Sequence, residues 1–464
     1  MSHTSGAVRA GGTKLKEAMT PILAKEKDSF LSAIEELKKA RTGLDPAWLE
    51  RLRVEAGSRV EVLDFPTTRD EEWRYTNIAP LLKLPLQHSL DLDLNGMTAE
   101  TIEPFAFSET RTSLLVFVNG RFVPEHSNLA EMPEGVFAGS LTQLPLDQEN
   151  ILRNHLAVYA NYRDDALIAL NTAMIADGAV IYIPDGVAVE RPIHVLFVAT
   201  ATKRNNVAYP RLLVVAGRGA AATIIESYVS PEESVHFTNA VTEVHVGERA
   251  RLDHYRLQEE SSGAFHIGTT VVFQEGASFY GSCAISLGSR LARHTLDLAL
   301  NGQRSESVIN GLYVVSDGQH ADSHTTIDHM QPNCVSKQLY KGILDGNGRA
   351  VFNGKILVRE GALHTDSRQL NKNLLLSDEA TVDTKPQLEI FADDVKCAHG
   401  ATVGQLEDEE LFYLASRGID LERARALLTY GFAEDVISKI PLESVRTQLD
   451  RIVLDKLHQN LEVQ

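Results

Sequence analysis

Three cysteines in 464 residues, Cys283, Cys334 and Cys397, are too few, too scattered and too odd in number for a disulfide framework. The expectation is a reducing compartment, and no CxxC pair is present to begin a metal or redox site. A self-contained iron–sulfur cluster usually takes four cysteines, so this chain is a poor cluster holder alone. Phosphate loops are missing as well. The nearest string to GxxxxGK[ST], residues 348–356, has one residue too many and lacks the Ser/Thr that would hold magnesium. Lying among strands, it reads as a turn. No GxGxxG opens a helix, and neither HExxH nor GxSxG occurs, so no nucleotide site or hydrolase is indicated. No apolar run approaches the ~20 residues of a membrane span. The N-terminal stretch MSHTSGAVRAGGTKLKEAM lacks the apolar core of a secretory signal and reads as a loose tail, so a cytoplasmic location is expected. Positive charge is in deficit: 45 Lys and Arg against 63 Asp and Glu leave a net charge of -18. That field repels nucleic acid and anionic membranes, and neither is an expected partner.

What is present divides the chain into three regions. Residues 1–165 mix helix and loop patterns into an N-terminal α+β region. Phe30, Leu31, Ile34 and Leu37 fall at helix spacing, with Glu35, Glu36 and Lys39 on the outer side. Further on, Asn119-Gly120 stands between two apolar runs, the strongest short-range hairpin signal, and Pro124 ends the second strand. Residues 166–405 turn to short strands rich in Val, Ile and Leu, broken by glycine turns. Gly219, Gly247, Gly276 and Gly302 follow at intervals of 28, 29 and 26 residues, and Gly318 and Gly348 are 30 apart. The 16-residue step from Gly302 to Gly318 breaks the rhythm. Such a period, with strands and no helices, predicts a mainly β protein with a parallel β-helix core, in which stacking buries each coil's inner face and pairs its edges. A β-sandwich or jelly roll is the alternative for so degenerate a repeat.

Residues 406–464 read as a helical domain. Acids 407–410 open the first helix, Gly418 caps it, and residues 421–428 make a second short helix ended by Gly431. Pro441 fits the first turn of the last helix, whose apolar stripe is Val445, Leu449, Ile452, Val453 and Leu457. These helices would cap the stack, dock another protein, or do both.

Three stretches carry candidate chemistry. In ADDVKCAHG, residues 392–400, an extended backbone puts Cys397 and His399 on one face, roughly 6.6 Å apart along the strand. Asp393 and Val395 would share their face, with Asp394 and Lys396 opposite. A thiol and an imidazole so placed suit one soft or borderline metal, but from this pattern alone a buried cysteine beside a hydrogen-bonded histidine is the preferred reading. HADSHTTIDH, residues 320–329, would set His320, Asp322 and His324 on one strand face. Nothing fixes a metal geometry there, and a hydrogen-bonded or solvated coil edge is the preferred reading. In DEEWRYT, residues 70–76, Trp73 and Tyr75 would share a face if extended, and a packed edge of a small domain is preferred to an interface anchor.

These residues accumulate into a resemblance. DEEWRYTNI, then SKQLYKGILDGNGRAVFNGKILVREGALHTDSRQLNKNLLLS, then DTKPQLEIFADDVKCAHGATVGQLEDEELFYLASRGI resemble the SufB/SufD family of iron–sulfur cluster assembly proteins. The resemblance covers residues 70–453, and DDVKCAHGATVG is in the wording of the SufD branch. It implies a right-handed parallel β-helix flanked by helical domains. It further implies a non-catalytic scaffold subunit, not an enzyme, whose β-helix pairs with the paralogue SufB and whose C-terminal helices dock the ABC ATPase SufC. A homodimer is the option for the isolated chain. A transient iron–sulfur cluster would form between the paralogues, with a cysteine from SufB and a histidine from this side. The matching histidine is His399, with Cys397 a secondary candidate. The residues do not decide for or against a flavin. Two other functions compete: a β-helix carbohydrate-active enzyme, lyase-like, using carboxylates on the solenoid face, and a purely structural subunit in which Cys397 and His399 are core residues.

Overall fold

A computed structural model describes residues 12–88, 94, 97–129, 132–200 and 205–456, with side chains from residue 27 onward. The expected loose tail falls largely outside the described residues, as does Leu457 of the last helical stripe. The centre of the molecule is a parallel β-solenoid of eight coils, each giving one strand to each of two sheets. Sheet 1 runs from Ala179–Ile183 to Thr381–Ile390, and sheet 2 from Ile193–Val198 to Lys396–Gly404. Period-two alternation turns every second residue into the bore. In sheet 1 this stacks Val214, Val244, Val272, Leu298, Ile327, Ile356 and Leu388 in one register column. All but the last are fully or almost fully buried, each burial stabilising by about 1.5–3 kcal/mol.

The corners explain the broken glycine rhythm. After each sheet 1 strand the chain passes through one left-handed residue: Gly186, Gly219, Arg249, Ala277, Arg304, Asn333, His364 and Asp394. That conformation aims the residue's N–H at the next coil, so Gly219 donates to the Glu248 carbonyl, Arg249 to Gly276, Asn333 to Leu363 and His364 to Asp394. A left-handed L-residue costs about 1–2 kcal/mol, which this inter-coil hydrogen bond helps offset. Gly318 sits in the opposite row of corners, leading from sheet 2 to sheet 1. The sixteen-residue step was a change of corner. Residues 348–356 are likewise not a turn, since Arg349–Val358 is a sheet 1 strand.

The first end of the solenoid is extended by short additional strands. Phe137–Ser140 pairs antiparallel with Ala179–Ile183, and Ser113–Val118 adds to Ile193–Val198. The Asn119-Gly120 hairpin folds Arg121–Phe122 back on it, both turn residues having positive φ. At the other end, Thr381–Ile390 and Lys396–Gly404 are the last strands, and among the described residues no strand pairs their outer edges.

Helices cover the outer faces. Gly12–Arg41 and Ala47–Val62 form a hairpin near sheet 1, and the buried helix Ala166–Ala173 packs against that sheet's outer face. On sheet 2, Ile225, Tyr255, Ile285, Leu312 and Ile343 meet Ala433, Val436, Ile437, Val445, Leu449 and Val453 of the C-terminal helices. Buried Lys341 fastens them, 2.7 Å from Asp435 and donating to the Phe432 carbonyl at 3.0 Å. Two local expectations are corrected. Helix Leu421–Ile437 runs through Gly431, because burial of Thr429, Ala433, Val436 and Ile437 outweighs the ~1 kcal/mol glycine penalty. Pro441 lies outside the last helix, Glu443–Lys456, rather than in its first turn. Among the described residues no helix is long and apolar enough to cross a membrane.

In sheet 2, Gly342 pairs with Tyr313 and Gly311 with Tyr340, and a Cβ on either glycine would collide with its partner's ring. Gly342→Ala should therefore destabilise the core by about 1–3 kcal/mol, read as a lower denaturant midpoint. An unchanged midpoint would show that the rings have room to move.

Candidate functional site

Cys397 and His399 lie on the terminal strand Lys396–Gly404, whose only strand partner among the described residues is Asp366–Leu375. The register sets Cys397 over Ser367 and His399 over Gln369, on the face that looks into the bore. Ser367 and Gln369 are fully buried, but no further coil covers the last one. Cys397 is therefore half-buried and His399 exposed. The shared face expected from alternation is present. It does not extend back through Asp393 and Asp394. Asp394 is the left-handed corner residue, facing the His364 imidazole at 2.9 Å, and the strand begins at Lys396.

The two candidates differ in readiness. Cys397 packs beside Ile356, Val358, Ala362 and Ala392. Burial pushes its thiol above the usual range, Asp366 pushes the same way, and the Ser367 N–H opposes only in part. It rests as a thiol, whereas a metal takes the thiolate. His399 is open to solvent and needs no such proton loss when its ring is neutral.

Two polar rows lead to this pair through the bore. Under Cys397, Ser336 and Ser367 hydroxyls lie 2.7 Å apart, and Ser336 meets His329 Nε2 at 2.9 Å. Burial lowers His329 to about 4, so it is neutral at physiological pH. Under His399 come Gln338 and Gln369, in register with it. Sequence reading missed both rows, although a signal existed. Ser336-Lys-Gln338, Ser367-Arg-Gln369 and Cys397-Ala-His399 are the same three positions in three successive coils.

The other two candidate stretches meet each other. Residues 320–329 are one whole strand rather than a coil edge, and His320, Asp322 and His324 face outward beneath residues 71–76. Thr76 donates to buried Asp322 at 2.5 Å, and Asp322 is ion-paired with Arg293 and 2.9 Å from His324 Nε2. Burial alone would raise the Asp322 pKa, but Arg293, His324 and Thr76 hold it well below the usual range. Glu72 reaches His324 Nδ1 at 3.3 Å, and Arg293 lies 3.8 Å over the Trp73 ring. Residues 71–73 make a single 3-10 turn, so Trp73 and Tyr75 do not share an extended face. Instead Trp73 clamps Arg293, and this segment fastens the N-terminal region to the solenoid. Among the described residues no three His, Cys, Asp or Glu side chains converge to hold a metal. Asp322 and His324, covered and paired, offer no open carboxylate surface for a sugar acid.

Residues 197–432 match the family described as "SUF system FeS cluster assembly, SufBD core domain", and residues 24–195 match "SufBD protein N-terminal region". The chain is 36% identical over 436 residues to an iron–sulfur cluster assembly SufBD family protein of Synechocystis, covering 92% of this chain and 95% of that one. It is 34% identical to the iron–sulfur cluster assembly protein SufD of Escherichia coli, covering 83% and 88% of the two chains. It is 33% identical to the chloroplastic protein ABCI7 of Arabidopsis thaliana, covering 86% and 84%.

Burial ranks the thiols. A thiol reagent applied to the isolated folded chain at pH 7–8 should modify Cys397 and spare buried Cys283 and Cys334. Because its pKa is raised, Cys397 should react more slowly than a cysteine in a short peptide, and should speed up as the pH passes the ordinary thiol range. Rapid labelling at pH 7, or equal labelling of all three by mass spectrometry, would contradict this picture.

Proposed function

We propose a scaffold role in cluster assembly for this chain, which belongs to the SufBD family of the SUF iron–sulfur cluster system. In this reading it is a non-catalytic subunit that pairs with a SufB-type paralogue through the last coil and lends His399 to a nascent cluster. A SufC-type ATPase docks on the C-terminal helices, and Cys397 is an auxiliary donor.

One observation carries the reading: His399 stands exposed on the coil where, among the described residues, both sheets end with unpaired edges. Such edges are pairing templates, and Ile390, Phe391 and Val403 are exposed beside them. A second solenoid with the same kind of end satisfies both. One imidazole and one half-buried thiol fall short of the four ligands a cluster usually takes, so the remainder come from the partner. The cluster is then cargo, held weakly enough by each chain to be passed on. The C-terminal helices fit the ATPase contact because their inner face is committed to sheet 2 while Phe412, Tyr413 and Leu421 point outward.

The test is His399→Ala in cells, with the complex purified alongside. Cluster-dependent enzyme maturation should fall by about an order of magnitude or more while paralogue and ATPase still co-purify. Normal maturation by an intact complex would remove the ligand role.

A further inference from the structure

Directly beneath His399 the bore holds a row of amides with a consistent direction. Gln338 Nε2 donates to Thr325 Oγ1 on the facing sheet at 2.8 Å. Gln369 Nε2 donates in turn to Gln338 Oε1 at 2.7 Å. Both donors point away from the open end, so the row finishes on Gln369 Oε1. That oxygen is buried and has no hydrogen-bond partner among the described residues, although Gln369 itself is fully buried. Reversing Gln369 alone would set two carbonyl oxygens against each other, so with Thr325 accepting, the row runs inward and ends on an acceptor.

The position is built rather than incidental. Gln369 crosses the bore against the mid-strand backbone of Gly354, where a Cβ would collide with its Nε2 and lie 2.8 Å from its Cδ. Gln369 and His399 are register partners on the same face, one strand spacing of ~4.8 Å apart. Buried acceptors are normally satisfied, and the nearest register neighbour able to donate is the imidazole.

We propose that Gln369 is the positioning residue for His399. Its side-chain oxygen accepts one imidazole N–H, which fixes the tautomer and turns the other ring nitrogen, with its lone pair, toward the open end. A histidine ligand whose second nitrogen is held in this way is a better and better-aimed donor. The idea rests on the ligand role proposed above for His399.

The test compares Gln369→Met, which removes the acceptor at similar volume, with Gln369→Glu, which keeps one. Ring nitrogens are read by 15N NMR at pH 8 on the full chain labelled with 15N-histidine, with His399→Ala assigning the signal. Wild type and Gln369→Glu should show His399 mainly as one tautomer, and Gln369→Met should relax it toward the mixture of a free imidazole. In the assembled complex, Gln369→Met should lower cluster yield by about 10- to 100-fold and Gln369→Glu should restore much of it. If Gln369→Met does not fold, Gly354→Ala displaces the amide while leaving it intact and should give the same relaxed spectrum. An unchanged tautomer ratio on loss or displacement of the amide overturns the proposal. The ligand role fails separately, by normal maturation in His399→Ala, whatever the NMR shows.

Discussion

Each coil of this solenoid satisfies its strand edges by handing them to the next coil, and among the described residues the last coil has no next. That constraint orders the molecule. At the first end an antiparallel strand and a hairpin are added, so the edges left there are short, two to four residues long. The last end keeps both edges, the apolar side chains beside them and the one exposed imidazole of the terminal strand together. Free edges and an exposed imidazole at the same place are what the proposed shared cluster site requires.

The interior changes character on the way to that end. Sheet 1 carries an aliphatic column nearly the length of the bore, whereas sheet 2 turns to hydroxyls and amides in the coils beneath Cys397 and His399. Polar groups in a bore are stabilising only when paired, and here they are joined into rows anchored on Thr325 and His329 of the facing sheet. The strand Val335–Leu344, which contributes Ser336 and Gln338 to these rows, also carries Lys341, the anchor of the C-terminal helices. The anchor of the C-terminal helices and the polar rows beneath Cys397 and His399 therefore share a strand.

Much of this was legible in the residues, for definable reasons. Asn119-Gly120 announces its hairpin because few residue pairs accept two positive φ values. Alternation alone puts Cys397 and His399 on one face. The coil period was visible, but two rows of corners overlap in sequence, and glycine marks only some of them; Arg249, Ala277 and His364 take the same left-handed turn unannounced. The meeting of Trp73 with Arg293 and of Thr76 with Asp322 was not legible, because no local rule links residues so far apart in the chain. Gly431 misled for the opposite reason: its local signal was clear, and tertiary burial overrode it.

In the proposed role this chain supplies one ligand, His399, to a cluster completed by a second chain. The most direct measurement is pulsed EPR on the reduced cluster of a reconstituted complex in which only this chain carries 15N-histidine. Hyperfine coupling from one directly bound 15N is expected, absent when the labelled chain is His399→Ala. A spectrum indistinguishable from that of the unlabelled complex would contradict it.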